Sequence, residues 1–171
     1  MKPPLVLVSY SHDSPDHTEW VRKIFVNGLR HRAVDARMDL YGLSYGDKVD
    51  AFMETFIARC DHVVAICTPN YAERAAQDLG GVGYEKQLIR RFMGAASPAQ
   101  KVIPVVRAGG ESAVPAYMGT RLYVDMQTGD HADELLDQLA IVLYGGQVYE
   151  PPPVAALPPW LADNLSSDTP P

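Results

Sequence analysis

The sequence predicts an α/β domain with a doubly wound parallel sheet. Continuous aliphatic runs, which are typical of strands buried on both faces, alternate along the chain with segments whose apolar residues recur at helical spacing. This alternation predicts a parallel sheet with right-handed crossovers and helices on both faces. The length of 171 residues is that of one domain, and no repeat of solenoid length is visible.

The aliphatic runs predict five strands, at residues 5–9, 33–38, 62–67, 101–106 and 121–124. Helical spacing predicts four helices, at residues 15–30, 47–57, 84–93 and 133–143. Asp13 or Ser14 is expected to cap the first helix, with Pro15 at its first position, and Asp47 to cap the second. Residues 68–83 are expected to be irregular, because they begin with Thr-Pro-Asn and end in a glycine-rich stretch.

Composition and charge argue against several classes of protein. The chain has 15 Lys and Arg residues against 21 Asp and Glu residues, and its net charge of -6 does little to neutralise nucleic-acid phosphates. No apolar run approaches the roughly 20 residues that span a bilayer, and no signal-peptide pattern precedes the first strand. We therefore expect a cytoplasmic protein that binds neither nucleic acid nor membranes. Cys60 and Cys67 are expected to be buried, reduced thiols.

The composition of the chain changes near its C-terminus. Half of the 14 prolines lie in residues 151–171, together with Ala, Ser and Asp. Such a segment is typical of a linker or tail that is stiff where proline is dense. The sequence therefore predicts a folded domain at residues 1–147 and a Pro-rich linker or tail at residues 148–171.

Polar and aromatic side chains follow the first three predicted strands. In open α/β sheets, ligands bind beyond the carboxyl ends of the strands, at the point where the strand order reverses. Side chains of the kind that a nucleotide-like ligand needs lie there, after strands one, two and three. The candidate binding residues are Tyr10, Ser11, Asp39, Tyr45, Asp47, Thr68 and Tyr71.

Common enzyme motifs are absent or poorly placed. No G-x-G-x-x-G follows the first strand and no G-x-x-x-x-G-K-[ST] is present, which argues against a dehydrogenase or a P-loop NTPase. Residues 42–46 read G-x-S-x-G, and Asp125 and His131 follow in the order of a hydrolase triad. A nucleophile elbow needs its serine on a sharp turn directly after a strand, whereas three residues separate the predicted strand from Gly42. A flexible Gly/Ser loop is the better interpretation.

Two further features have ordinary structural explanations. His12 and His17 lie close together but lack the additional ligands of a metal site, so no metal is expected. Glu85 opens a predicted helix after a glycine-rich approach, where the helix dipole favours a negative charge. The pattern alone leaves open whether Glu85 also has a function.

Several segments together resemble a known family. They are Val8-Ser9-Tyr10-Ser11-His12-Asp13, Trp20-Val21, Gly46-Asp47 with Phe52-Met53-Glu54, and Gly80-Gly81-Val82-Gly83-Tyr84-Glu85. In this order they resemble a bacterial TIR (Toll/interleukin-receptor) domain of the SEFIR-like branch, over about residues 4–145. The resemblance implies a flavodoxin-like, five-stranded sheet. In many bacterial members it also implies hydrolysis of NAD+ to nicotinamide and ADP-ribose or a cyclic form, with NAD+ as substrate and no cofactor.

The resemblance also assigns roles to individual residues. The catalytic glutamate of the family lies on the helix after the third strand and corresponds to Glu85. Tyr10 and Ser11 match residues that line the pocket, and residues 39–47 match a loop that closes over the nucleotide or reaches a neighbouring protomer. The family commonly has an aromatic or Gln-rich stretch before the loop aspartate, where this chain has Ala36-Arg37-Met38, so Arg37 receives no binding role.

Two functions remain open at this stage. The first is an NAD+ hydrolase that is activated by self-assembly with other TIR protomers in bacterial antiphage defence, with a sensor domain fused or associated after the tail. One carboxylate suffices for such a reaction, because nicotinamide leaves as a neutral molecule and needs no proton from an acid. The alternative is a non-catalytic adaptor that works through homotypic TIR-TIR association.

Overall fold

A five-stranded parallel sheet forms the centre of the protein. The computed structural model describes residues 1–39, 41–77, 80–95, 97 and 100–166, and of residues 80–85 the backbone alone. The strands are β1 Leu5–Ser9, β2 Asp35–Arg37, β3 His62–Cys67, β4 Lys101–Val106 and β5 Val124–Asp125. Their order is β2-β1-β3-β4-β5, and every neighbouring pair is parallel. This flavodoxin-like order confirms the predicted fold class.

Helices connect the strands and cover the sheet. Helix α1 has three consecutive segments, α-helical at Pro15–Trp20, π-helical at Val21–Val26 and α-helical at Asn27–Arg30. The others are α2 Val49–Ile57, α3 Pro69–Gln77, α4 Gly80–Ala95, α5 Ala132–Leu143 and α6 Pro159–Ser166, and short 3-10 helices cover Gly110–Ala113 and Ala116–Met118. As predicted, Ser14 caps α1 and Pro15 is its first residue. Across the described ranges, no helix has the length and apolarity to cross a membrane.

The core has two layers, one on each face of the sheet. Neighbouring residues of a strand point to opposite faces, so Val63 and Val64 belong to different layers. Val64 lies in the layer that α1 and α5 cover, together with Phe25 and Leu139. Val63 lies in the layer under α2, α3 and α4, together with Ile89. Burial on both faces explains why the strands are continuously aliphatic.

The central strands begin and end where the sequence predicts, but the outer strands are shorter. Strands β1, β3 and β4 match their predicted bounds, whereas β2 begins two residues late. The reason is that Ala33 has a left-handed φ of 59° and the Val34 N–H donates to the Leu29 carbonyl, so both residues end the preceding helix. Strand β5 is confined to Val124–Asp125, rather than residues 121–124.

The prediction that residues 68–83 are irregular was wrong for residues 69–77 and 80–83, which are helical, while residues 78–79 lie outside the described residues. Helix α3 begins directly after β3, because the Thr68 hydroxyl accepts a hydrogen bond from the Tyr71 N–H at 3.2 Å and Pro69 suits the first helical position. Tyr71 and Ala75 then give α3 a buried face. Helix α4 begins at Gly80, four residues before the predicted start. Packing against the sheet outweighs the low helix propensity of its glycines.

One other local prediction also needs correction. Asp47 does not cap the second helix. Its carboxylate accepts a hydrogen bond from the Ser44 N–H at 2.7 Å, within the preceding loop, and Lys48 occupies the cap position of α2. Within the Pro-rich segment, α6 begins at Pro159, the second of two consecutive prolines. Proline suits the first turn of a helix, where its missing N–H costs nothing.

Candidate functional site

The candidate site lies at the carboxyl edge of the sheet, beyond the ends of β1 and β3. These two strands are neighbours, and the chain leaves β1 to one side and later returns on the other to form β3 and β4. A crevice outside the strand ends at this reversal is the usual ligand site of such sheets. The loops after β1 and β3 meet here through direct side-chain hydrogen bonds.

Asp13 is the centre of this meeting point. The Ser11 hydroxyl donates to one carboxylate oxygen, which also accepts from the Asn70 amide at 2.6 Å. The Thr68 hydroxyl donates to the other oxygen at 2.6 Å. Ser11 and Thr68 are buried, and their hydroxyl oxygens lie 3.5 Å apart. Asp13 therefore ties the end of β1 to the start of α3 and aligns two of the predicted binding residues.

Hydrogen bonding keeps this carboxylate ionised. Partial burial of Asp13 by itself would raise its pKa, but the hydrogen bonds from Asn70, Ser11 and Thr68 together outweigh that effect and lower the pKa. His17 adds a smaller effect in the same direction. The site thus holds a fixed negative charge at neutral pH, although its oxygens are already occupied by three donors.

A second cluster connects the end of β1 with the loop after β2. The Tyr10 hydroxyl donates to one Asp39 carboxylate oxygen at 2.8 Å, and His12 Nε2 lies 2.9 Å from the other. The rings of Tyr10 and His12 are 4.8 Å apart. Tyr10 is buried whereas His12 is exposed, so the cluster runs from the core to the surface. Asp39 thereby anchors the first residue of the loop at the predicted site.

Tyr71 lies in a different environment from the other candidates. It is fully buried in the core layer under α2, α3 and α4, and its hydroxyl is 2.8 Å from the Ser9 hydroxyl. The structure therefore places Tyr71 beneath the site, where it supports the end of β1. It does not bring this side chain to the surface of the crevice.

The loop after β2 presents the remaining candidates to solvent. Tyr45 is fully exposed, and Asp47 is exposed apart from its hydrogen bond with the Ser44 N–H. Gly42 and Gly46, with φ of 92° and 96°, give the loop its two left-handed turns. The loop is tied to the site through Asp39, and Tyr41 packs against the core.

The alternative motifs of the sequence do not form reactive sites. Asp125 accepts hydrogen bonds from Gln127, and His131 pairs with Glu134 at 3.4 Å, so neither is positioned by the other as a hydrolase triad requires. Cys60 and Cys67 are buried free thiols, as expected, and burial raises the pKa of each to about 12.

Glu85 lies in helix α4, and its side chain is outside the described residues. Because α4 begins at Gly80, Glu85 belongs to the second turn rather than the first. The next residue, Lys86, donates to the Ala75 carbonyl of α3 at 2.9 Å and so fixes this part of α4.

A cavity of about 560 Å³ adjoins the Asp13 cluster on the side of β4 and β5. Its walls come from the loops after four strands, and they include Asp13, Ser14, His17, Trp20, Thr68, Arg107 and Gln127. The loops after β3 and β4 approach closely here, since a Cβ on Gly109 would lie 2.7 Å from Pro69.

Sequence reasoning missed several of these residues. It treated Asp13 as a helix cap and gave no role to Asn70 or Arg107. Arg107 directly follows β4, so the rule that selected residues after the first three strands also selects it. The burial of His17 had no comparable sequence signal, because its partner Arg107 lies 90 positions away.

Comparison with known proteins gives the family. The family model described as TIR domain matches residues 6–140. The crystal structure of a prokaryotic SEFIR domain has a TM-score of 0.65 and 29% identity, over 89% of this chain and 99% of that one. The TIR domain of the Toll-related receptor TRR-2 from Hydra magnipapillata has a TM-score of 0.60 and 14% identity, over 81% and 97%. No curated protein gives a significant match. The chain belongs to the TIR domain family.

Proposed function

We propose that this TIR domain hydrolyses the bond between nicotinamide and ribose in NAD+, with Glu85 as its catalytic carboxylate. The observation that carries the proposal is the position of Glu85 in α4. This helix leads from the loop after β3 back to the start of β4, so its first turns lie toward the carboxyl edge of the sheet. The same edge carries the Asp13 and Asp39 clusters.

The chemistry needs little more than one placed carboxylate. The nicotinamide of NAD+ is a pyridinium and leaves as a neutral molecule, so the alkoxide that ordinary glycosidases must protonate does not form. The enzyme has to orient the ribose and stabilise the oxocarbenium-like positive charge. A carboxylate at position 85 supplies that stabilisation, and water or a group of the substrate itself completes the reaction to ADP-ribose or a cyclic product.

The surrounding residues would bind the substrate in this proposal. Tyr10, Ser11 and Thr68 line the strand ends, and the hydrogen bonds to Asp13 and Asp39 hold them rigidly. Rigid support of this kind favours catalysis because the site pays no reorganisation cost during the reaction. Tyr45 and Asp47 would contact NAD+ or a neighbouring protomer, since their loop is exposed. Tyr71 supports the strand end from the core.

The proposal includes a cellular setting. Activation would follow assembly of several TIR protomers, and a sensor domain after the Pro-rich segment would control that assembly. We propose antiphage defence in the cytoplasm as this setting, because depletion of NAD+ would halt the metabolism of an infected cell. Family membership and the exposed loop after β2 support it.

Nicotinamide release from NAD+ tests the activity. The full chain is assayed at high concentration with a crowding agent, beside Glu85→Gln, which removes the charge at nearly constant volume. Glu73→Gln in α3 is the matched control, because Glu73 is an exposed carboxylate whose side chain accepts from Gln77. We expect Glu85→Gln to reduce turnover about 100-fold or more and Glu73→Gln to leave it unchanged. Full turnover in Glu85→Gln would remove Glu85 from the mechanism.

The second candidate function is that of a non-catalytic adaptor. The fully exposed Tyr45 favours it, because aromatic side chains on open loops are common anchors of protein interfaces. An adaptor releases no nicotinamide at any concentration, and Tyr45→Ala weakens its self-association while Glu85→Gln does not. Nicotinamide release separates the two functions, because the hydrolase releases nicotinamide and loses that activity in Glu85→Gln, whereas the adaptor releases none.

A further inference from the structure

The cavity beside the Asp13 cluster contains an arginine without a bonded carboxylate. The Arg107 guanidinium lies 4.5 Å from the centre of the Trp20 ring and donates through Nη1 to His17 Nδ1 at 2.6 Å. Within the described part of the chain, no carboxylate lies within ion-pair distance of it. Partial burial lowers the pKa of Arg107, and the charges of Asp13 and Asp16 oppose this effect only in part. The Asp13 oxygens already accept from Ser11, Thr68 and Asn70.

His17 holds the Arg107 guanidinium in the same wall. An arginine can only donate, so His17 Nδ1 accepts and the proton of the neutral ring lies on Nε2. Burial lowers the pKa of His17, and this outweighs the opposing effect of Asp13. The side chain is only 3% exposed, and its Nε2 has no hydrogen-bond partner among the described residues. Because Nδ1 faces Arg107, the buried Nε2 points away from the guanidinium, and His17 contributes to this wall by orienting Arg107.

We propose that this cavity binds an oxyanion, the phosphate or carboxylate group of a small molecule, through the Arg107 guanidinium. Guanidinium has five N–H donors in a planar fork that matches two oxygens of such a group, and the structure uses the Nη1 atom alone for His17. Stacking on Trp20 holds the fork in place before the ligand arrives.

The size and position of the cavity fit a ligand larger than a single ion. Its volume of about 560 Å³ is within the range of small-molecule sites, and it opens at the carboxyl edge of the sheet. Gln127, at another wall, is held by hydrogen bonds to Gly110 and Asp125. The oxyanion group would occupy the end formed by Arg107 and His17, and the rest of the molecule the open part.

Binding of simple anions to the full chain tests the proposal. Inorganic phosphate and acetate are titrated separately while the Arg107 Nε–H and His17 ring resonances are followed by NMR. We expect saturable shifts with at least one of them, and the stronger of the two identifies the chemical group. Arg107→Gln should weaken binding about tenfold or more, as expected for loss of a charged hydrogen-bonding partner. Binding in Arg107→Gln is followed through the His17 ring.

Three further variants make the test decisive. Arg22→Gln is the matched control, because Arg22 lies on α1, the helix that carries His17 and Trp20, and pairs with Glu19 outside the cavity. Arg107→Lys keeps the charge but lacks the fork, so it should also bind more weakly, and it replaces Arg107→Gln if the latter fails to fold. Glu85→Gln should bind the anion normally, which separates this site from NAD+ hydrolysis. Absence of saturable binding of both anions, or wild-type affinity in both Arg107 variants, overturns the proposal.

Discussion

Each edge of the sheet contains a buried histidine, and the two differ in their hydrogen bonding. At the amino edge, His62 begins β3, and its Nδ1 accepts from the Lys101 N–H at 3.1 Å while its Nε2 lies 3.0 Å from the Leu143 carbonyl. At the carboxyl edge, His17 uses Nδ1 for Arg107 and has no partner for Nε2 in the described chain. Burial lowers the pKa of both rings, so both are neutral at neutral pH.

This difference in hydrogen bonding indicates different roles for the two histidines. His62 connects the start of β4 with the end of α5 through two backbone groups, which is a purely structural use of a polar ring. His17 lines a cavity and has an unsatisfied donor, which lowers the stability of the fold. No contact of Nε2 within the described chain offsets this cost. Native proteins accept such costs mainly at functional sites. The comparison therefore supports the proposal that ligands bind at the carboxyl edge, whereas His62 stabilises the amino edge.

Replacing His62 should give the largest loss of stability. His62→Ala leaves a small cavity and removes the partner of the Lys101 N–H and the Leu143 carbonyl, so we expect the free energy of unfolding to fall by about 2–4 kcal/mol. Urea denaturation at pH 7.5 measures it. His31→Ala is the control, because His31 is exposed and should change stability by less than about 0.5 kcal/mol. Equal effects of the two substitutions would contradict the structural role of His62.

Replacing the Tyr71 hydroxyl should have a smaller effect. Tyr71→Phe removes the buried 2.8 Å hydrogen bond with Ser9 while the ring stays in the core. We expect the free energy of unfolding to fall by about 1 kcal/mol. Because the ring lies beneath the site, the affinity for NAD+ in the same variant should remain near that of the wild type. A large loss of affinity with unchanged stability would instead place the Tyr71 hydroxyl in the binding surface.

Replacing His17 should have the smallest effect at neutral pH. His17→Phe removes the unsatisfied Nε2 and keeps a ring in its place, and Arg107 can turn to water because it is only half-buried. We expect the free energy of unfolding at pH 7.5 to stay within about 1 kcal/mol of the wild type. A loss as large as that of His62→Ala would show that His17 is structural.

The same His17 variant should respond differently to acid. The folded-state pKa of His17 is lowered, so below the unfolded-state value of about 6.5 the unfolded chain binds the proton more readily than the folded one. Wild-type stability is therefore full above that pH and declines as the pH falls through it. His17→Phe lacks this contribution and should gain on the wild type between pH 7.5 and 5.5. Urea denaturation at several pH values measures this difference. If the free energy of unfolding changes with pH equally in both proteins, His17 does not contribute to the acid sensitivity.

The sequence predicted the fold better than it predicted the site. Strands β1, β3 and β4 are buried on both faces, so their aliphatic runs leave little ambiguity. The residues after β3 were misjudged because proline, asparagine and glycines suggest a loop, whereas the Thr68 cap and the buried face of α3 make a helix there. The packing of α3 against the core stabilises this helix, and local amino-acid composition does not reveal such packing.

Some site residues could be predicted from the sequence and others could not. Ser11, Asp39 and Thr68 could be chosen from the sequence because each follows a strand closely, and parallel strands bring such positions to one edge. The contacts of Asp13 and Arg107 depend on how distant loops meet, and periodicity says nothing about them. The role of Glu85 came from resemblance to the TIR family and stays a prediction.

Chemical-shift mapping with NAD+ tests the central claim, that ligands bind at the carboxyl edge, most directly. Backbone amide resonances of the full chain are followed while NAD+ is added to the Glu85→Gln variant, which should bind without turnover. We predict that the largest shifts occur at Ser11, Asp13 and Thr68, while Asp61, His62 and Lys101 at the amino edge remain unchanged. Shifts centred on the amino edge, or no shifts at millimolar NAD+, would contradict the account.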